Sequence, residues 1–197
     1  MCKGYVHGYD SREKRRLKDQ ANSLVELLHS DTYFPSGSRI LEVGCGVGAQ
    51  TVTLARKSPN ASFISIDISE ESIVEARGKI ENGGLNNVQF LCADIFNLGL
   101  ETELFDHVFV CHVLEHLSHP DNALSIMLSL LKVGGTITVI EGDHGSTYFY
   151  PDSQAAQKAI QCQVELQKLT GGNAYIGREI YPLLKAAGFS SVNVSPR

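Results

Sequence analysis

The sequence predicts an α/β domain built on a Rossmann-like, mostly parallel sheet with helices on both faces. Three observations lead there. Short apolar runs alternate with amphipathic helical patterns, a glycine-rich turn stands at Gly44-Cys45-Gly46-Val47-Gly48, and acids mark the ends of successive apolar runs at Glu42, Asp67 and Asp94. With 197 residues and 43% apolar content the chain can fill one core of this kind.

Asp10-Ser11-Arg12-Glu13 has the form of a capping box, after which Leu17, Ala21, Leu24, Val25 and Leu28 share one helical face. A helix therefore precedes the first strand. Arg39–Val43 reads as that strand and Gly48–Lys57 as the crossover helix. Ala61–Ile66 is a second strand ending at Asp67, and Ser69 caps a helix whose face is Ile73, Ala76 and Ile80, stopped by Asn82-Gly83-Gly84. Val88–Ala93 is a third strand ending at Asp94, and Phe105–Cys111 a fourth. Pro120 suits the first turn of a helix that turns Leu124, Met127, Leu128 and Leu131 to the core. Gly134-Gly135 should close it before a fifth strand at Thr136–Glu141. Residues 142–172 read as an insertion, a loop plus one helix, followed by a last helix near Arg178–Ala187 and a final strand at Ser190–Val194. The whole, 1–197, is expected to be one domain: 1–38 a helical cover, 39–141 a cofactor-binding core, 142–172 a substrate-side insertion, 173–197 a closing helix and strand.

Composition narrows the function. A net charge of −5 argues against a nucleic-acid partner, and the basic cluster Lys14-Arg15-Arg16 reads as a solvated helix face. Five cysteines without a C-x-x-C pair read as reduced intracellular thiols. No apolar run approaches the ~20 residues that span a bilayer, and no signal-peptide core opens the chain, so a cytoplasmic location without a transmembrane segment is expected.

Glycines by themselves leave the cofactor open. Gly44, Gly46 and Ala49 fit the dinucleotide pattern G-x-G-x-x-G/A, whereas Gly44, Gly46 and Gly48 fit the E-x-G-x-G-x-G turn of enzymes that use S-adenosylmethionine (SAM). Glu42 favours the second reading. A carboxylate there suits a cationic sulfonium end and gains nothing from an anionic pyrophosphate. Asp67 follows the turn by the ~20 residues at which an acid takes ribose hydroxyls, which suits any adenosine-containing cofactor. His112-Val113-Leu114-Glu115-His116 also reads as H-x-x-E-H, a zinc pattern that works when one helix presents both histidines. Here it straddles the β-rich run Val108–Cys111, with Pro120 close behind, so no metal site is expected.

From Arg39 to Val194 the chain resembles the class I SAM-dependent methyltransferases. Glu42-Val43-Gly44-Cys45-Gly46-Val47-Gly48 is similar to their first motif, Asp67 to the ribose-binding acid, and Asp94-Ile95 to the pair at the adenine edge. Phe105 to Leu117 resembles the motif lining the transfer site. Leu131-Lys132-Val133-Gly134-Gly135 resembles the turn L-K-P-G-G, with Val133 in place of proline. The resemblance implies methyl transfer from SAM to a small-molecule acceptor with release of S-adenosylhomocysteine, and Val113-Leu114-Glu115-His116-Leu117 is similar to the branch acting on small molecules and quinone-type lipids. It implies cofactor contacts at Glu42, Gly44, Cys45, Gly46, Gly48, Gln50, Asp67, Ile68, Asp94, Ile95, Cys111 and His112.

His116 and His144 are candidate catalytic bases. Tyr148, with Phe149 and Tyr150, is a candidate acceptor wall unless the three join the core, and Tyr9, Arg16 and Gln20 on the N-terminal helix are candidate substrate contacts. An NAD(P)-dependent oxidoreductase and a non-catalytic SAM-binding protein are the alternatives. The family's sheet normally carries a seventh, antiparallel strand, which is missing from this sequence. The expectation is a piece of a longer protein, or self-association through the incomplete sheet.

Overall fold

The computed structural model describes residues 27–100, 102 and 104–196. The expected helix over Asp10–Leu28, together with Tyr9, Arg16 and Gln20, lies almost wholly outside them.

The first apolar run forms strand β1 (Arg39–Val43), in which Ile40, Leu41, Glu42 and Val43 are all buried. Burial on both faces is the mark of a central strand in a covered parallel sheet. Gly48 starts helix α1 (Ala49–Lys57) from a left-handed conformation, and Arg56 and Lys57 sit in its last turn, where the helix dipole favours cations. Strand β2 (Ser62–Asp67) follows. Helix α2 (Glu70–Asn82) begins as predicted, with the Ser69 hydroxyl accepting from the Ser72 amide at 3.2 Å and two glutamates in the first turn. Then come β3 (Val88–Cys92), β4 (Phe105–Cys111) and α3 (Pro120–Leu130), the last with its proline in the first turn. Strand β5 (Leu131–Ile140), helix α4 (Gln154–Leu169) and helix α5 (Ile176–Ala186) complete the order.

All strand pairs are parallel, in the spatial order β3-β2-β1-β4-β5. Connections after β1 and β4 therefore leave in opposite directions, which opens a crevice at the C-terminal edge between them. Alternation along the strands splits the core in two. Ile40, Phe63 and Phe109 pack with Leu54 and Ala55 of α1 and with Phe34, while Leu41, Val43, Val108 and Val110 pack with Ala123, Leu124 and Met127 of α3 and with Ile176 and Leu184 of α5.

Two elements depart from expectation. Helix α3 stops at Leu130, four residues before Gly134, because Leu131 already pairs with Phe105. Thr136 pairs with His107, so the residues between form a bulge. The glycines shape that bulge: Gly134 has φ +80, and a Cβ on Gly135 would meet the Lys132 and Asp106 carbonyl oxygens at 2.9 and 3.0 Å. Ser190–Val194 forms no strand. Ser191 has φ +51, which breaks an extended run, and Val192 packs against the core instead of joining a ladder. Among the described residues, the edge of β5 away from β4 carries no strand.

The Asn87 side-chain amide donates to the carbonyls of Ala55, Ser58 and Ala61 at 3.4, 3.1 and 3.1 Å, tying the end of α1 to the approach of β2 and β3. Asn87→Ala is expected to lower unfolding free energy by about 1–3 kcal/mol in a denaturant titration; a change within error would show that water serves those carbonyls equally well.

Candidate functional site

The three glycines after β1 all have positive φ, +71, +52 and +75, yet Gly46 differs from the other two in what surrounds it. A Cβ on Gly44 would lie 2.4 Å from Val113 Cγ2, and one on Gly48 would lie 2.9 Å from the Ala76 Cβ. Those two positions are packing constraints. A Cβ on Gly46 would meet nothing within 4 Å, so this backbone borders open space, and a ligand can approach it closely.

The turn is fastened to the end of β2. Amides of Gly44 and Cys45 donate to the Ile66 carbonyl at 2.8 and 2.9 Å, and the Gly46 amide donates to Asp67 Oδ2 at 2.8 Å. Asp67 Oδ1 accepts from the Ser69 amide at 2.9 Å. A carboxylate offers about four acceptor positions, so each oxygen keeps one for a ribose hydroxyl. Ile68, next in sequence, is 64% exposed, an apolar surface beside that acid. These features fit an adenosine-containing cofactor.

Other expected contacts have partners of their own within the chain. Glu42 is buried and accepts from the Ser65 hydroxyl at 2.6 Å, one strand over in register. Burial pushes its carboxyl up to about 7, against the pull of the Ser65 and Thr51 hydroxyls. The Gln50 carboxamide oxygen is hydrogen-bonded to the His29 ring. Asp94 is exposed and accepts from the Phe96 amide at 2.9 Å, capping the turn Ile95–Asn97, whose Ile95 side chain belongs to the core. Cys45 is buried, and burial pushes its thiol well up, as it does that of Cys111.

On the other side of the crevice, beyond β4, a second cluster forms around Glu115. His112 leaves the strand with φ +56 while its amide still donates to Ile140 at 2.8 Å. Glu115 is buried, and its Oε1 lies 3.8 Å from His112 Nδ1 and 3.7 Å from His116 Nε2, its Oε2 3.5 Å from His144 Nε2. Gln167 Nε2 donates to Oε2 at 2.9 Å and to the Glu115 carbonyl at 3.0 Å. Burial alone would raise this carboxyl, but His144, Gln167 and the other two histidines outweigh it and hold it at about 2. Only Leu114–His116 is helical, one 3₁₀ turn, so H-x-x-E-H does not lie on one helical face. The histidines reach the glutamate by a bent route instead.

Two residues of this cluster were not expected. Glu141, just past β5, receives the amides of Val113 and Leu114 on Oε1, both at 2.8 Å, and that of Glu115 on Oε2 at 3.4 Å. Burial nevertheless pushes its carboxyl up to about 8. The signal was present, since Glu141 is a further acid at a strand's C-terminal end. Gln167 had no signal, because only the packing of α4 brings it there.

His144 stands in the turn His144–Ser146, capped by Asp143, which Arg178 grips through Nε and Nη2 at 2.9 and 2.8 Å. Tyr148 and Tyr150 are 92% and 98% exposed, so this trio does not join the core.

Residues 35–188 match the family described as a methyltransferase domain. The chain belongs to the class I SAM-dependent methyltransferase family. It is 34% identical over 162 residues to an uncharacterized 37.1 kDa transposon protein of Streptomyces fradiae, covering 81% of this chain and 46% of that protein. With the ubiquinone/menaquinone biosynthesis C-methyltransferase UbiE of Pseudomonas entomophila it shares 31% identity over 108 residues, 54% of this chain and 42% of that one. A SAM-dependent methyltransferase from Aquifex aeolicus superposes with a TM-score of 0.68 at 21% identity, over 91% of this chain and 88% of that one. The chain spans about half the length of the curated relatives it matches.

In this methyltransferase domain the raised Glu42 carboxyl has a stability consequence. The native state holds a proton between the ordinary carboxyl range and about 7 that the unfolded chain has released, so stability falls as pH rises through that window. Glu42→Gln should flatten the fall between pH 5 and pH 8 by roughly 2–3 kcal/mol in denaturant melts. An unchanged slope would place the raised group elsewhere.

Proposed function

We propose that this protein transfers the methyl group of SAM to a small-molecule acceptor and releases S-adenosylhomocysteine. The observation that carries the reading is the open backbone of Gly46 with Asp67 fastened beside it, at the edge of the sheet where strand order reverses. Asp67 would take the ribose hydroxyls, Ile68 the apolar adenine face, and the backbone of Gly44–Gly46 and of Cys111–His112 the methionine portion. When bound, the sulfonium supplies a methyl carbon already attached to its leaving group.

The chain's own residues have the remaining tasks of positioning, excluding water and accepting a proton. His116 and His144 are proposed as bases. Glu115, held anionic, faces Nε2 of both and would stabilise an imidazolium formed on either. Tyr148 is proposed as an acceptor contact, and Tyr9, Arg16 and Gln20, which lie outside the described residues, as further substrate contacts. The location proposed is the cytoplasm; nucleic acid is not the partner at a net charge of −5. No helix among the described residues is long and apolar enough to cross a membrane. The edge of β5 away from β4, which carries no strand among the described residues, is the surface proposed for self-association.

Calorimetry with SAM and with NADH separates this reading from a nicotinamide enzyme, and methyl-donor turnover against a metabolite panel separates it from a non-catalytic SAM-binding protein. Asp67→Ala should weaken SAM binding by about 1–3 kcal/mol while the fold persists. Gly46→Val should abolish it and leave a cooperative melt; unchanged affinity in either folded variant sinks the cofactor assignment. His144→Ala is expected to lower kcat about 100-fold with SAM affinity intact, a split that calorimetry and initial rates resolve.

A further inference from the structure

The cluster around Glu115 holds more ligating atoms than a proton relay needs. One atom each from His112, Glu115 and Glu141 lie within 4.8 Å of one another. They come from three points of the chain that the fold brings together: the end of β4, the 3₁₀ turn after it and the end of β5. We infer that His112, Glu115 and Glu141 form a binding site for a first-row divalent cation that accepts mixed nitrogen and oxygen ligands, of the Mn²⁺ and Zn²⁺ class.

Geometry supports the inference. Ligands at about 2.0–2.2 Å from one cation stand roughly 3–3.6 Å apart, and these three atoms, already within 4.8 Å of one another, reach that spacing by small side-chain rotations. His112 Nδ1 and Glu115 Oε1 are already 3.8 Å apart, longer than a hydrogen bond. Both residues are held from behind: the His112 amide by the Ile140 carbonyl, the Glu115 carbonyl by the Asn173 amide at 2.8 Å and by Gln167. Glu141 has spent Oε1 on two amides, while Oε2 keeps only the long contact at 3.4 Å.

Charge and hydrogen bonding point the same way. Two carboxylates face one small volume, and among the described residues neither has a lysine or arginine partner. Gln167 is fully buried, its nitrogen committed to Glu115 and its oxygen, among the described residues, without a hydrogen-bond partner. A cation's bound water is a donor suited to that oxygen. Imidazole with two carboxylates selects a borderline first-row ion over Ca²⁺ or a thiolate-seeking one.

The test uses the full chain, freed of metal with chelator, titrated with Mn²⁺ and followed by the electron paramagnetic resonance signal of the free ion. Manganese avoids capture by the cysteines. The expected result is one Mn²⁺ per chain, weakened more than about tenfold in His112→Asn and in Glu115→Gln. Asparagine tolerates the left-handed backbone of position 112, so that variant decides if Glu115→Gln fails to melt cooperatively. Absence of stoichiometric binding by the wild type, or equal affinity in a folded His112→Asn, overturns the proposal. SAM calorimetry on the same samples reports on the methyl-transfer reading independently, so that failure of one is distinguishable from failure of the other.

Discussion

The carboxylate of Glu141 is the fastening on which the site's geometry rests. By receiving the amides of three consecutive residues it fixes the turn Val113–Glu115 where the chain leaves β4. Val113 then occupies the space into which a Cβ on Gly44 would project, so the glycine turn after β1 is shaped against a side chain that Glu141 positions. The same turn presents Glu115 to its three histidines. A single half-buried acid thus couples the cofactor-side loop to the cluster across the crevice, and a neutral, apolar residue in its place would leave three amides without acceptors.

Burial and charge are distributed unevenly among the acids of this edge. Glu42 and Glu141 are pushed towards neutrality by desolvation, while Glu115, also buried, is held ionised by its histidines and Gln167. The contrast follows from what surrounds each group. Hydroxyl and amide donors offset only part of a desolvation cost, whereas several imidazoles and an amide directed at one carboxylate exceed it. Environments that separate the protonation of neighbouring acids assign them different tasks, and here two acids brace loops while the third faces the crevice.

Much of the fold was legible because a covered parallel sheet leaves strong local marks. Phe105–Cys111 and Arg39–Val43 stand where the apolar runs predicted, and Ser69 and Pro120 begin their helices as capping chemistry requires. Errors arose where a local pattern needed a distant partner. Val192-Asn193-Val194 alternates like a strand but has no neighbour to complete a ladder, and Ser191 turns the chain before one can form. The glycine pair at 134 and 135 was read as a helix stop, although its role is to let a bulge pass close to the Asp106 carbonyl. In the site, Gly46 and Asp67 were visible from spacing and geometry places them together. Glu42 and Ile95 carried the same kind of signal yet turn into the core, because a motif specifies residue types without saying which face of a strand end each one takes.

The sign of the charge at this edge bears on the choice among cofactors. Glu42, Asp67, Glu115 and Glu141 all stand at the C-terminal ends of strands or just beyond them, and two cationic side chains at this edge are already spent, Lys79 on the Val47 carbonyl and Glu75, and Arg178 on Asp143. Bringing a pyrophosphate to such an edge sets anion against anion in a partly desolvated crevice, where screening by salt is weak. A ligand with a positive centre meets the opposite field. Its approach would draw the raised carboxyls of Glu42 and Glu141 towards ionisation and so strengthen its own attraction, a coupling that a dinucleotide cannot exploit. The same argument applies to the sulfonium of SAM and to the divalent ion proposed above, whereas a pyrophosphate gains nothing from this field.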